Sequence, residues 1–167
     1  MATAANFISF DEYMRSSYSP DCEYIDGTIV ERNVGQGKHA YTQGKVYLKI
    51  SQQVEPKSLI VLPEQRVRIS ATRVRVPDVC VVGELEEVIG KPPLLCVEVL
   101  SPDDRWSRVN ASVSDYQNMG VPCVWVIDPY GSRAWVFHLE NPPVEVLDGR
   151  LLSEELGIEV HLADLLP

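Results

Sequence analysis

Along the chain, short unbroken apolar runs alternate with stretches in which apolar residues recur every three or four positions. The first pattern predicts buried strands and the second predicts helices, so the chain reads as α/β. Ser9, with Glu12 three residues on, is a capping-box pattern that opens a short helix. Cys22 to Ile25 and Thr28 to Glu31 flank Asp26-Gly27, a strong hairpin signal. A second helix is expected from His39 to Val54, with Val46, Leu48, Ile50 and Val54 as its apolar positions and Pro56 as its stop.

Leu59 to Leu62 begins a strand expected to continue through Arg66 to Ile69, and Arg73 to Val76 is expected to lead into the apolar run Val76 to Val82. Leu94 to Leu100 is a further buried strand. Ser101-Pro102-Asp103-Asp104 reads as a helix start, with Ser as cap, Pro in the first turn and acids beside the positive end of the helix dipole. Trp106, Val109, Val113 and Tyr116 form its stripe and Gly120 its stop. Val124 to Ile127 and Ala134 to Phe137 are strands joined by the turn Asp128 to Gly131, Val144 to Leu147 is an edge strand, and Ile158 to Leu166 is a short closing element. A helix between the Glu98 and Val124 strands makes a crossover, so those two run parallel, while the Asp78 and Glu98 strands pair antiparallel. All three tryptophans, Trp106, Trp125 and Trp135, are assigned to the core.

Two of the apolar runs each carry one acid, Asp78 in Val76 to Val82 and Glu98 in Leu94 to Leu100. An unpaired carboxylate in apolar surroundings costs on the order of several kcal/mol unless it is paired, protonated or bound to a cation. Two such acids on adjacent strands can share one divalent cation, with Mg²⁺ (or Mn²⁺) the fitting choice for carboxylate oxygens and retained waters. The backbone carbonyl of Val99 is a further candidate ligand. The alternative for Glu98 is a buried salt bridge with Arg75, and for Asp78 a polar residue after Pro77 at a strand start.

The chain has 167 residues, which fits one domain over 1–167 with one core. Its net charge of −9 argues against broad, non-specific binding to nucleic acid, which needs Lys and Arg against phosphates. Arg66, Arg68, Arg73 and Arg75 are nonetheless concentrated, two on each of two strand faces, and read either as a solvated sheet face or as a phosphate-contacting ribbon. The four cysteines include no C-x-x-C pair, so neither a zinc knuckle nor a thioredoxin-type centre is indicated. No apolar run approaches the ~18 residues of a membrane span, and Met1 to Asn6 lacks a secretory leader, so a cytoplasmic location with no membrane association is expected.

Glu23-Tyr24-Ile25-Asp26-Gly27, Arg75-Val76-Pro77-Asp78-Val79, Val97-Glu98-Val99-Leu100-Ser101-Pro102, Tyr116 with Gly120-Val121, and Val124 to Pro129 occur in that order. The ordered set resembles the Uma-type endonucleases, a branch of the PD-(D/E)xK restriction-endonuclease-like superfamily, from Phe10 to about Leu139. The resemblance implies a restriction-endonuclease-like mixed β-sheet flanked by helices. It implies Asp78 and Glu98 as metal ligands, Glu23 as a third acid, His39 as a neighbour, and Mg²⁺-dependent hydrolysis of DNA, with a homodimer as the expected assembly.

One departure bears on catalysis. In the pattern that the chain resembles, a lysine stands on the helix four residues before the Tyr; here that position is Ser112, and no lysine follows Lys91. Arg105 and Arg108, on the same helix side, and Lys38 are candidates to supply the missing charge; an arginine can stabilise charge but cannot act as a base. Ser112 has no His or other base placed beside it by sequence and reads as an inert replacement, so cutting is expected to be weak or absent as the chain stands and to rise in Ser112→Lys. Three functions stay open on the sequence: a metal-dependent DNase, a degenerate relative that binds metal or nucleic acid without cutting, and a structural or oligomerising module.

Overall fold

The computed structural model describes residues 7–33 and 35–167. Met1 to Asn6, whose composition carried the expectation of no leader, lie outside them. Helix α1 spans Phe10–Arg15, capped by Ser9, whose Oγ accepts from the Glu12 N–H at 3.1 Å. Strands β1 (Glu23–Ile25) and β2 (Thr28–Val30) form the expected hairpin. Asp26 and Gly27 both take positive φ, 49° and 91°, as a two-residue turn matched to strand twist requires. Helix α2 spans Gly37–Val54 and buries His39, Thr42, Val46, Ile50 and Val54; Leu48, expected on the apolar stripe, faces solvent.

The continuous strand expected over Leu59 to Ile69 is two strands in different sheets. Strand β3 is Ile60–Pro63 and β4 is Val67–Ser70, with Glu64 between them at a φ of 49° that breaks the run. The next stretch divides in the same way: β5 is Arg73–Arg75, Pro77 interrupts, and β6 is Val79–Val82. A four-stranded sheet therefore has the order β2-β1-β5-β4, and the chain crosses from it into a second sheet at Val76 to Asp78.

That second sheet also contains β7 (Leu95–Val99), β8 (Cys123–Asp128), β9 (Arg133–His138) and β10 (Val144–Glu145), in the order β10-β9-β8-β7-β6-β3. Strands β6 and β7 pair antiparallel and β7 and β8 parallel, both as expected. Helix α3, Trp106–Met119, makes the crossover. It starts later than Ser101-Pro102 suggested, because the Asp104 carboxylate accepts from the Ser101 N–H at 2.7 Å and holds those residues in a turn. Gly120 ends α3 at a φ of 103°, where an L side chain would be strained. A hairpin of β11 (Arg150–Ser153) and β12 (Ile158–His161) completes the fold; β11 carried no sequence signal of its own.

The larger sheet is buried on both faces. One packs against α2 and the β11–β12 hairpin through Val46, Ile50, Val97, Trp125 and Leu151; the other packs against α3 and β4 through Val67, Cys96, Val113, Tyr116 and Val124. This explains why β6, β7 and β8 read as unbroken apolar runs. Trp125 is fully buried, but Trp106 is exposed and meets Trp135 edge-on at 4.5 Å on the surface, which corrects the expectation of three core tryptophans. No helix among the described residues is long and apolar enough to cross a membrane.

Leu95 is fully buried on the strand that carries Glu98. Leu95→Ala should lower stability by about 2–5 kcal/mol, read as a lower urea midpoint at unchanged slope.

Candidate active site

The crossing between the two sheets positions Asp78. It lies one residue before β6, and its backbone carbonyl accepts from the Gln43 side chain at 3.0 Å and from the Glu64 N–H at 3.2 Å. Its carboxylate meets three donors. The Val99 N–H donates to Oδ2 at 2.7 Å, the His39 ring lies 3.3 Å from Oδ2, and Arg32 donates to Oδ1 at 2.9 Å. Burial pulls the His39 imidazole down, but its hydrogen bond to Asp78 and that residue's charge outweigh burial, so the net shift is upward.

Glu98 is the penultimate residue of β7, opposite Val126. Tyr116, one face of α3 away, donates its hydroxyl to Oε1 at 2.5 Å. Burial, then the charges of Asp78 and Glu23, push the Glu98 carboxyl well above its ordinary value of 4.5; Tyr116 and Arg32 oppose this without cancelling it. The salt bridge to Arg75 considered for Glu98 does not form. Arg75 is buried between Glu23, at 2.9 Å, and Asp115, at 2.7 Å. Glu23 also accepts from the Val76 N–H at 3.2 Å, so the hairpin and the crossing segment are tied together at this acid.

One cleft gathers the sequence-expected residues: Glu23, Asp78, Glu98, Val99 and Ser112 all line it, and so does His39. Arg32 and Arg108 line it as well. Arg108 stands 3.9 Å from Glu23 and donates to the Glu31 carbonyl at 2.9 Å. Arg105 caps α3, and Lys38 lies 5.6 Å from the Tyr130 ring centre; neither lines the cleft. Arg32 was not singled out in the sequence. It follows the β1–β2 hairpin as an ordinary loop charge, and only the fold brings it against Asp78.

The arginine cluster behaves differently from a phosphate-contacting ribbon. Arg66 chelates Asp21 at 2.6 and 2.7 Å and covers the Tyr13 ring. Arg73 pairs with Asp26 and Asp115, and Arg75 with Glu23 and Asp115. Arg68 lies over Phe10, 4.6 Å from the ring centre. Three of the four guanidiniums are thus committed within the fold. The cysteines are all reduced and buried, and burial raises the thiols of Cys80 and Cys123 to about 12, so neither ionises at neutral pH without a bound cation.

The raised Glu98 carboxyl has a consequence for stability. An acid whose folded value lies above its unfolded value binds more protons folded than unfolded in the interval between them, so stability falls as pH rises through that interval. Metal-free protein should therefore lose stability on passing upward from about pH 4.5, the ordinary glutamate value, and Glu98→Gln should flatten that slope. Urea midpoints measured across the interval check this; an unchanged slope in the variant would assign the dependence to another group.

The family described as "Putative restriction endonuclease", Uma2, matches residues 10–165. No curated protein matches the chain significantly. Among solved structures, the crystal structure of a "putative nuclease belonging to DUF820" from Anabaena variabilis superposes with a TM-score of 0.85 at 24% identity, covering 95% of this chain and 97% of that one. The fold is therefore of the restriction-endonuclease-like type, with mixed sheets flanked by helices as the motifs implied. The match spans nearly the whole chain, including Glu23, Asp78 and Glu98, and the chain therefore belongs to the Uma2 family.

Proposed function

We propose that the chain is a divalent-metal-dependent DNA endonuclease, with Asp78 and Glu98 holding Mg²⁺ or Mn²⁺ and the Val99 carbonyl as a further ligand. The observation that carries this reading is the convergence of Asp78 and Glu98 on one cleft, where Asp78 and Glu23 help push the Glu98 carboxyl upward. Such mutual repulsion between acids is what a bound cation relieves. The donor set fits a hard cation, because carboxylate and carbonyl oxygens suit Mg²⁺ and, among the described residues, no sulfur lines the cleft. When bound, a divalent ion supplies Lewis-acid withdrawal of charge from a phosphoryl oxygen.

The chain's own residues divide the remaining work. Val99 and His39 orient the Asp78 carboxylate, and Tyr116 orients Glu98. Glu23, held by Arg75 and Val76, keeps the acid-rich side of the cleft fixed. Ser112, buried on α3, contributes no charge at the position where the resembling pattern has lysine. Arg32 takes over that part of the lysine's role which does not require deprotonation. Its side chain is 12% exposed, and its guanidinium offers several donors toward a phosphate entering beside Asp78. The same contact gives Arg32 an opposite effect on the metal, since it occupies Asp78 Oδ1 and repels a cation.

Native protein should cut plasmid DNA with Mg²⁺ or Mn²⁺, and Asp78→Ala should abolish cutting. Arg32→Ala should bind Mn²⁺ more tightly than native protein yet cut roughly 10²–10³-fold more slowly, the usual cost of one lost charge stabiliser. Ser112→Lys added to Arg32→Ala should restore part of the rate. Weaker Mn²⁺ binding by Arg32→Ala would mean that Arg32 only maintains the fold of the cleft. Metal binding without cutting by the native chain would favour the degenerate binding reading, which the serine at position 112 supports.

The proposed reaction on two strands calls for two sites, so the reading includes a homodimer. Sedimentation equilibrium should give twice the 18.7 kDa chain mass; a monomer at high protein concentration with intact double-strand cutting would remove the dimer from the proposal.

A further inference from the structure

A second group of ligand-type side chains lies away from the cleft. Cys123 and His138 are directly opposite each other on the antiparallel strands β8 and β9. Opposed residues of such a pair project from the same face, so thiol and imidazole are neighbours by register alone. Glu155, in the turn between β11 and β12, reaches the same place from a third direction. The Cys123 Sγ, one His138 ring nitrogen and one Glu155 carboxylate oxygen lie within 4.8 Å of one another. Burial grades outward, with the thiol buried, the imidazole half-buried and the carboxylate exposed.

We propose that Cys123, His138 and Glu155 form a binding site for a Zn²⁺-type cation. One thiolate, one imidazole and one carboxylate make a borderline-soft donor set that suits Zn²⁺ and disfavours Mg²⁺ and Ca²⁺. Three protein ligands leave a fourth position for water, and a surface cavity lined by His138, Asn141 and Glu155 lies beside two of the three. Binding replaces the S–H bond of Cys123 by a sulfur–metal bond and releases the proton to solvent; a coordinated thiol is deprotonated outright.

The site is separate from the cleft. Strands β7 and β8 run parallel, Glu98 pairs with Val126 and Val99 with Ile127, whereas Cys123 begins β8 at the other end. None of the three ligands lines the cleft. What the ion would join is different too. Cys123 and His138 belong to the large sheet, and Glu155 belongs to the hairpin that covers one face of it. Existing links between these parts include the Trp125 indole donating to the Leu152 carbonyl at 3.1 Å and a weak contact from the Cys123 sulfur to the same carbonyl at 3.8 Å. A bound ion adds a staple between sheet and hairpin, and its binding energy adds to folding stability.

The test uses Co²⁺ and Zn²⁺ on full-length protein carrying Asp78→Asn and Glu98→Gln, so that the cleft does not contribute. One Co²⁺ per chain should bind with ultraviolet sulfur-to-cobalt charge-transfer absorption, and Zn²⁺ should displace it. Cys123→Ser should abolish the absorption. Glu155→Gln, at an exposed position that does not threaten folding, should weaken Zn²⁺ binding roughly tenfold or more, at least what altering a ligand's hydrogen-bond partner costs. Zn²⁺ should raise the melting temperature of the parent and leave that of the Cys123→Ser form unchanged. Absence of the charge-transfer absorption in the parent, or Zn²⁺ binding indifferent to both Glu155→Gln and His138→Ala, would overturn the proposal.

Discussion

The hydrogen bond from the Val99 N–H to the Asp78 carboxylate, at 2.7 Å, joins the two parts of the fold on which the cleft depends. Asp78 lies where the chain leaves the four-stranded sheet, and Val99 ends the central strand of the six-stranded one. A carboxylate accepting a backbone N–H is held more firmly than one on a mobile loop. The sequence meets that need with Pro77, which breaks the strand one residue before the acid, and with an apolar β6 that docks immediately after it. Glu98 is then brought to the same cleft by register, because β6 and β7 pair with Val79 opposite Val97.

Charge decides the rest of the local architecture. Four arginines, Arg32, Arg73, Arg75 and Arg108, pair with acids of the cleft or with acids linked to them, and acids outnumber bases in the whole chain. Behind the cleft, Glu23, Arg75, Asp115, Arg73 and Asp26 form an alternating chain of opposite charges. Its inner members, Glu23, Arg75 and Asp115, are buried, and removing one of them leaves its neighbours uncompensated, which costs more than the contact itself is worth. Inside the cleft the balance is left incomplete. Arg32 and His39 both face Asp78, while Glu98 has the Tyr116 hydroxyl as its hydrogen-bond partner. Glu98 is therefore the acid whose ionised form is least compensated, and the proposed ion would supply the missing positive charge.

Much of this is legible in the amino-acid sequence. Unbroken apolar runs marked β6, β7 and β8 because both faces of that sheet are covered, and the helix stripe of Val109, Val113 and Tyr116 fixed the crossover. Asp78 and Glu98 stood out because charge is rare in such runs. Breaks within a run were harder to see. Glu64 adopts positive φ without being Gly or Asn, so nothing marked the switch from β3 to β4. Long-range pairing was invisible as well: the arginine cluster looked available until Asp21, Asp26 and Asp115 were found opposite it, and Arg32 gained meaning only when its hairpin folded over Asp78. The Cys123–His138 pair depends on register between two strands, and its third member on a hairpin with no strong sequence signal.

Whether Asp78 and Glu98 share one divalent cation is most directly measured by calorimetric titration of Mn²⁺ into native protein, Asp78→Asn and Glu98→Gln, each carrying Cys123→Ser to remove the second site. A single cleft ion predicts one binding event in the protein with both acids and a large loss of affinity in either variant. Equal, undiminished Mn²⁺ binding by both variants would contradict it.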